Sequence, residues 1–470
     1  MRLLMLAGGG SGSDHAVPLG VTLLFAALLV AMIVALALEE KLHAKKSLIT
    51  GVFAIVTLFL GTALGLLPFE GDDAPIINAF GERLSLPVYI PAVDWEVITI
   101  ILGSSLFVDV VSRSGLFTWI AIKLTRASRG DPWLLLAYYG AMTVVFSALL
   151  NNVTAMLIVG SLTAVSLGKL RRNHLLLGFL LVEGLLTNVG GLLTLISSVP
   201  NIIIGHAAGF SFIEFFIQSA PYVLVATVAT IALGARAFRI RRLTNDEDRA
   251  EARAVVAGFD ENDGIESRGF FWTATALFVL FILTLANASW LPVIRNLHMG
   301  YVALAFAVAI LVRYKSTVDR FYQALDWDLL LFFASLFIVI NVMEHAQVLG
   351  LLGKGLERLL ALGDLGGSAA LLASSAVASS VTDNIPLAAM LAKILGSLAQ
   401  TTDGMWWSVV FGANLGGNIT PIGSASTVVA VTIMHKHALG VSFARFVRLA
   451  LPFAAVQIAL AIGYVLLFVQ

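Results

Sequence analysis

Two short polar stretches interrupt long apolar regions of the chain, and their residues correspond. The first covers residues 147–154 and reads Ser-Ala-Leu-Leu-Asn-Asn-Val-Thr, and the second covers 380–386 and reads Ser-Val-Thr-Asp-Asn-Ile-Pro. Asn151-Asn152 thereby corresponds to Asp383-Asn384, 232 positions later. Uncompensated polar groups are costly at membrane depth, so such pairs are retained where they line a cavity or bind something. The two stretches therefore predict a substrate or ion site.

The composition indicates that these stretches lie in a membrane protein. Of 470 residues, 59% are hydrophobic and only 12% are charged, against about 25% in soluble proteins. The apolar excess extends over the whole chain, which predicts an all-α polytopic membrane protein with residues 17–38 as a retained first span. The formal net charge is zero and cysteine is absent, which gives no indication of nucleic acid and excludes disulfides and thiolate metal sites. The sequence has no hydrolase, nucleotide-binding or zinc-protease motif, so we expect no enzyme activity, no cofactor and no bound metal.

Matching segments occur in the same order in both halves of the chain. The pairs are Val93-Asp-Trp-Glu with Leu325-Asp-Trp-Asp, Asn151-Asn152 with Asp383-Asn384, Asn188-Val-Gly-Gly with Asn414-Leu-Gly-Gly, Gly209-Phe-Ser-Phe with Gly440-Val-Ser-Phe, and Pro221 with Pro452. Their spacing stays between 226 and 232 positions. Duplicated halves with interrupted helices at matching places are typical of secondary transporters.

The repeats and the charges predict the domain organisation. Five parts are expected: N-terminal spans with an extracytoplasmic loop (1–92), a first repeat with a hairpin around 151–152 (93–239), a charged, solvated cytoplasmic linker (240–268), two connecting spans (269–324) and a second repeat with a hairpin around 383–384 (325–470). Residues 117–127 are expected to form a short amphipathic helix. Basic residues mark the cytoplasmic ends of spans, and their distribution predicts inverted repeats. The two hairpin tips then enter from opposite faces and meet near the midplane, with an unwound helix beside each.

The residues expected to form the site lie at the hairpin tips and at the two Asn-x-Gly-Gly breaks. A broken helix frees backbone N–H and C=O groups; oxygen ligands suit hard cations, and helix N-termini suit anions. The predicted substrate- or ion-binding residues are Asn151, Asn152, Thr154, Asn188, Gly190, Gly191, Thr194, Thr382, Asp383, Asn384, Asn414, Gly416, Gly417, Asn418 and Thr420. Helix capping would explain a single asparagine, and close helix packing would explain isolated glycines, but neither explains the repetition.

Three acidic residues fall within the predicted apolar core and are candidates for proton or cation coupling: Asp109, Glu183 and Asp383. Burial can move the titration of a carboxyl toward neutral pH, which suits a proton carrier. For Asp109 the alternative is a hydrogen bond to a neighbouring helix.

These motifs resemble the ion transporter superfamily, specifically its ArsB/NhaD branch of arsenite permeases, the P protein and citrate-type permeases. The matching elements are Val93-Asp-Trp-Glu, Leu150-Asn-Asn-Val-Thr, Asn188-Val-Gly-Gly, Pro200-Asn-Ile-Ile-Ile-Gly, Thr382-Asp-Asn-Ile-Pro and Gly412-Ala-Asn-Leu-Gly-Gly-Asn. The resemblance covers Val93 to the C-terminus. It implies a scaffold part, a transport part that moves like an elevator, a substrate held between hairpin tips and unwound helices, and a homodimer. From the compactness of the chain and its short loops we expect the bacterial cytoplasmic membrane as its location.

The sequence departs from this family pattern at two places. Relatives often carry an aspartate where Asn151 stands, and Gly-Asp-Pro-Pro-Asn where this chain has Ser197-Ser-Val-Pro-Asn. Asp383 is therefore the main coupling candidate. We take a proton-coupled permease of arsenite or related anions as the first hypothesis. A Na⁺/H⁺ antiporter and a dicarboxylate or citrate permease stay open, with H⁺ or Na⁺ as the transported coupling ion. A channel or receptor is less favoured, because repeated hairpins suit alternating access.

Overall fold

The computed structural model describes residues 17–67, 76–77, 83–84, 86–315, 318–398 and 400–469. The residues before 17 and most of the predicted loop lie outside this part of the chain. Within it, eleven helices are long and apolar enough to cross a membrane. The strands of the described part are β1 (Ile76–Ile77) and β2 (Arg83–Leu84), which pair antiparallel. The predicted all-α polytopic fold is confirmed.

Helices from both halves form a first group, which we call the scaffold group. Its members are α1 (Leu19–Ala37), α2 (Glu39–Leu42), α3 (Lys46–Ala63), α4 (Trp95–Ser112), α12 (Arg268–Ala286), α13 (Pro292–Arg313), α14 (Val318–Ala324) and α15 (Trp327–His345). Helix α3 packs on α15, and α4 packs on α13. At matching positions, Ser47 donates a hydrogen bond to Asp328 at 2.5 Å, and His298 lies 3.4 Å from Glu96. In each contact a helix of the first half packs on a helix of the second half, as expected for a duplicated fold.

The remaining long helices form the hairpin group. Its members are α6 (Pro132–Leu149), α7 (Asn152–Lys169), a 3₁₀ turn (Asn173–Leu175), α8 (Leu176–Gly190), α9 (Val199–Ala208), α10 (Phe212–Ala237), α17 (Gly363–Val381), α18 (Asn384–Ser397), α19 (Asp403–Gly416), α20 (Ala425–Lys436) and α21 (Phe443–Phe468). Helices α6 and α7 form the first hairpin, with residues 150–151 between them, and α17 and α18 form the second, with residues 382–383 between them.

Both helices that carry Asn-x-Gly-Gly are interrupted, at residues 191–198 (the first break) and 417–424 (the second break). The apolar runs predict helices that resume at 192 and 419, whereas α9 and α20 resume several residues later. In the first break, the carbonyl of Gly191 accepts hydrogen bonds from the side chains of Ser197 and Asn201. Side chains therefore satisfy a backbone group that a continuous helix would pair with an N–H.

Two amphipathic helices connect the groups: α5 (Leu116–Ala127) and α16 (Val348–Leu360). They start 232 positions apart, so α16 is the counterpart of the predicted α5. The sequence analysis missed α16, because Gly350, Gly353 and Gly355 lower its helix propensity.

The predicted solvated linker is partly folded. It contains α11 (Asp246–Ala257), in which Ala252 and Val256 are buried one turn apart. Val256 packs with Ile122 of α5 and with Phe259. One apolar face of an otherwise charged helix is enough to hold the segment against the bundle.

Candidate substrate site

Matching hydrogen bonds attach each hairpin to the interrupted helix of its own half. The hydroxyl of Ser147 donates to the carbonyl of Thr187 at 2.6 Å, and the hydroxyl of Ser379 donates to the carbonyl of Ala413 at 2.6 Å. The two serines are 232 residues apart and lie near the ends of α6 and α17. The sequence repeat thus corresponds to a repeat of hydrogen bonds in the structure. The spacing of 232 residues would have identified this serine pair from the sequence.

Two predicted ligands, Thr194 and Thr420, also serve these attachments. Their hydroxyls donate to the carbonyls of Ala148 and Ser380 at 2.6 and 2.7 Å. Both threonines are buried. Their side chains therefore hold the breaks against the hairpins.

Two of the predicted glycines, Gly190 and Gly416, lie where a helix approaches the backbone of a hairpin closely, and the other two lie in tight contacts at the breaks. A Cβ on Gly190 would be 2.6 Å from the carbonyl oxygen of Val144, and one on Gly416 would overlap a carbonyl of the second hairpin. A Cβ on Gly191 would lie 2.8 Å from the side chain of an asparagine, and one on Gly417 would be 3.0 Å from a carbonyl. At Gly190 and Gly416, only glycine fits without a shift of the neighbouring backbone.

The two breaks are joined directly through their asparagines. Nδ2 of Asn188 donates to Oδ1 of Asn418 at 2.8 Å and to the hydroxyl of Ser424 at 2.9 Å. Its Oδ1 accepts from Ser426 at 3.1 Å and from Asn152 at 3.4 Å. Every hydrogen-bonding position of this amide is used, so Asn188 links four elements of the hairpin group.

A glutamine that the sequence analysis did not select extends this network. Nδ2 of Asn418 donates to Oε1 of Gln457 at 2.8 Å, and Nε2 of Gln457 donates to the hydroxyl of Thr230 at 2.9 Å. Gln457 is buried in α21. Its counterpart in α10 is Ala226, so the repeat gave no signal for it.

The fourth buried amide is likewise satisfied by protein. Oδ1 of Asn414 accepts from the hydroxyl of Ser198 at 2.8 Å, and its Nδ2 donates to Oδ1 of Asn201 at 2.9 Å and to the carbonyl of Val410 at 2.8 Å. The predicted residues Asn188, Asn414 and Asn418 thus hold the two breaks together, and their amides are occupied.

We expect Gln457→Leu to lower the free energy of unfolding by about 1–3 kcal/mol, since it removes the buried hydrogen bonds of Gln457 with Asn418 and Thr230. Denaturation of the purified protein in detergent measures this. The matched control is Gln218→Leu, which removes a hydrogen bond at an exposed position and should change stability by less than about 0.5 kcal/mol. Equal effects of the two substitutions would contradict the role of Gln457.

The two hairpin tips differ in what their side chains contact. At the first tip, Asn151 caps α7 by accepting from the N–H of Thr154 at 2.8 Å, and Asn152 accepts from Ser147 at 2.6 Å. At the second tip, Thr382 donates to a carbonyl of α17. Asn384, the counterpart of Asn152, is half-buried and has no side-chain hydrogen bond with any described residue. The second tip therefore retains an amide that is available to a ligand.

Asp383 forms an ion pair that no sequence signal predicted. Its Oδ2 lies 2.5 Å from Nζ of Lys46, with side chains 16% and 32% exposed, and its Oδ1 caps α18 through the N–H of Ile385. Lys46 begins α3, which belongs to the scaffold group, and Glu39 lies 3.9 Å from its ammonium. The second tip is therefore level with the first turn of α3, whereas the sequence predicted a tip near the midplane.

The other two predicted coupling acids lie away from the tips. Asp109 is near the end of α4 and pairs with Arg113 one turn later at 3.0 Å. Glu183 is completely buried in α8, where Oε1 accepts from Thr163 at 2.6 Å and Oε2 has no hydrogen-bond partner among the described residues. A buried carboxyl with an unbonded oxygen is costly. Glu183 is thus the acid whose burial lacks a structural explanation, and Asp109 is explained by its arginine.

One further ion pair and two contacts of a histidine with carboxylates cross between the scaffold and hairpin groups. Lys393 of α18 lies 3.1 Å from Glu344 of α15, and His206 of α9 lies 3.3 Å from Glu96 and 3.6 Å from Asp94 at the start of α4. Such partly exposed pairs contribute about 0–1 kcal/mol each. The boundary between the groups therefore carries polar contacts that are weak enough to break and re-form.

The sequence matches one family of transporters and several known membrane proteins. Residues 33–412 match the family described as citrate transporter, CitMHS. An uncharacterized transporter of Mycobacterium bovis is 32% identical over 379 residues, which cover 79% of this chain and 86% of that protein. The human P protein is 25% identical over 495 residues, covering 88% of this chain and 58% of the P protein.

Solved structures share the fold at low sequence identity. The YdaH transporter of Alcanivorax borkumensis has a TM-score of 0.56 at 15% identity, covering 90% of this chain and 97% of that one. MtrF of Neisseria gonorrhoeae, described as illuminating a class of antimetabolite efflux pumps, has a TM-score of 0.54 at 14% identity, with coverages of 90% and 95%.

Proposed function

The chain belongs to the citrate transporter family CitMHS and is a multi-pass secondary transporter, and from this premise we propose that it carries a small oxygen-rich anion by moving its hairpin group along its scaffold group. The observation that carries the proposal is the ion pair between Lys46 and Asp383, which joins the two groups at a hairpin tip. The ion pairs at this boundary are weak enough to break and re-form, which supports a movement of one group past the other.

The second tip supports an anion as the substrate. Asn384 offers an unused amide, and Lys46 offers the positive charge that lies against this tip. An anion that binds here would compete with Asp383 for the ammonium, so its arrival would weaken the contact between the groups. Amides and an ammonium recognise carboxylates through charge-assisted hydrogen bonds. The family description favours a carboxylate over arsenite, which would bind as a neutral hydroxide through oxygen and amide contacts.

Asp383 is the residue that we assign to proton coupling. Protonation of its carboxylate would remove the charge that holds Lys46 and would free the ammonium for the substrate. Proton binding, anion binding and release of the second hairpin are then parts of one step. Glu183 is a second candidate, because its free oxygen is buried about one and a half turns from Asn188. The pairing of Asp109 with Arg113 removes one of the three candidate coupling acids, which gives less support to Na⁺/H⁺ antiport.

The test uses purified protein in proteoliposomes with a pH-sensitive dye inside and an imposed proton gradient. Citrate, dicarboxylates, arsenite, Na⁺ and Li⁺ are added in turn. We expect proton movement on addition of a carboxylate. A response to Na⁺ or Li⁺ alone would reject the anion proposal, and a response to arsenite alone would reject the carboxylate. Cross-linking in the same membranes tests the homodimer that the family resemblance implies.

A further inference from the structure

A cavity of about 690 Å³ lies between α6 and the C-terminal end of α10, on the outside of the hairpin group. One face of α10 forms its apolar wall through Val228, Ile231, Ala232 and Ala235, and Ala137 of α6 completes the wall. These α10 residues follow the spacing i, i+3, i+4 and i+7, so they line one side of the helix. Val228 is 61% exposed. In a membrane-spanning helix such a face is in contact with lipid.

The rim of the same cavity is strongly basic. We call its four members the arginine cluster: Arg236, Arg239, Arg241 and Arg242. All four side chains are exposed, and none forms an ion pair with a described residue. None of the described residues that line the cavity carries a carboxylate. The cluster is therefore four positive charges at the end of a membrane-spanning helix, none of them paired directly with a described carboxylate.

The turn after α10 folds the chain back toward α6 and so gathers these arginines. The N–H of Ile240 donates to the carbonyl of Ala235 at 2.9 Å, while Arg239 adopts the left-handed conformation with φ 52°. This is the geometry of a Schellman motif. The chain consequently reverses within two residues of the helix end, and the arginines on both sides of the turn face one cavity.

A neighbouring carboxylate holds this segment in place and offsets one of the four positive charges. Asp131, at the start of α6, accepts from the N–H of Trp133 through Oδ1 and from the N–H of Leu243 through Oδ2. Both of its oxygens are thus used by backbone groups. The guanidinium of Arg242 lies over the ring of Trp133, 4.6 Å from its centroid. The result is a fixed basic rim above an apolar wall.

A second basic region on the same side of the molecule provides a contrast. Lys169, Arg171 and Arg172 line a cavity of about 330 Å³ together with Asp248 and Glu251 of α11. Two carboxylates there offset most of the positive charge. The first cavity has no such acids, so its attraction for an anion is much greater.

We propose that the arginine cluster and the apolar wall bind an anionic phospholipid of the leaflet at which α10 ends. The phosphate diester lies among the guanidinium groups, which bind phosphate through paired N–H donors, and an acyl chain lies along Val228 and Ile231. Basic pockets between membrane-spanning helices are suited to anionic headgroups. A lipid at this place contacts only the hairpin group, so it travels with that group.

Native mass spectrometry of the purified protein tests the site with a mixture of phosphatidylglycerol and phosphatidylcholine that have identical acyl chains. We expect the wild-type protein to retain phosphatidylglycerol preferentially. The combined variant Arg236→Gln, Arg239→Gln, Arg241→Gln and Arg242→Gln should lose this preference by about tenfold or more. Equal preference in the variant and the wild type would overturn the proposal.

Two further variants and one competitor complete the experiment. Lysine at the same four positions retains the charge and should restore most of the preference, even where the glutamine variant is poorly folded. The variant Lys169→Gln, Arg171→Gln and Arg172→Gln should bind lipid as the wild type does. Glycerol 3-phosphate carries a phosphate without acyl chains. Displacement of the lipid by an equal concentration of glycerol 3-phosphate would assign the site to a free phosphate and reject the lipid.

Discussion

Asp383→Asn is expected to abolish the proton dependence of transport and to slow transport by about tenfold or more. The Lys46–Asp383 pair is partly buried, so it should contribute more than an exposed pair and less than a fully buried one, about 1–2 kcal/mol. A change of 1.4 kcal/mol between two positions of the hairpin group alters their populations about tenfold. Transport is measured in proteoliposomes as a function of external pH. A variant with unchanged pH dependence would remove Asp383 from the coupling mechanism.

A double-mutant cycle separates the coupling role of Asp383 from a merely structural one. Lys46→Gln alone leaves the carboxylate unpaired, and the combined substitution removes both charges. If the pair only supports the structure, the double variant should recover both stability and transport. If Asp383 carries the proton, stability returns while the proton dependence stays absent. Glu344→Gln, which breaks the more exposed pair with Lys393, is the matched control and should transport normally.

Gly190→Ala is expected to eliminate transport and to destabilise the protein by about 1–3 kcal/mol, the usual cost of forcing an extra methyl group into a packed interior. The added Cβ would lie 2.6 Å from the carbonyl oxygen of Val144 and 3.0 Å from Cβ of Ser147. Both neighbours belong to the first hairpin, which must shift and lose its attachment to α8. Thermal unfolding in detergent and uptake in vesicles measure the two effects.

The control for this substitution is Gly463→Ala. Gly463 also lies in a long helix, but a Cβ there would meet nothing within 4 Å. Alanine has the higher helix propensity by about 1 kcal/mol, so this variant should be neutral or slightly more stable. A Gly190→Ala protein that behaves in the same way would show that the close approach of α8 and the hairpin is dispensable.

The sequence was informative mainly where a polar motif occurs twice, although α16, the counterpart of α5, and the serine pair 147 and 379 were missed. The hairpins, the two breaks and their glycines were predicted because Asn151 has its counterpart in Asp383 and Asn188 in Asn414. Features that occur once were missed. Gln457 is a single amide in an apolar span, and Lys46 meets Asp383 across 337 positions, with no periodicity to indicate the contact. The predicted site residues also have different roles in the structure from those expected. Asn188, Asn414 and Asn418 are bonded to other protein groups, whereas the second tip is available to a ligand.

The bond between Asn188 and Asn418 has a consequence for the biosynthesis of the protein. The two residues are 230 positions apart, and neither amide can be satisfied until both halves are inserted. When the first half leaves the ribosome, its break is held only by contacts within that half. The central contacts then form late, between segments remote in sequence, which makes assembly slow and exposes an incompletely bonded intermediate. A duplication that gives the mature protein its symmetry thus leaves the newly made first half dependent on the second.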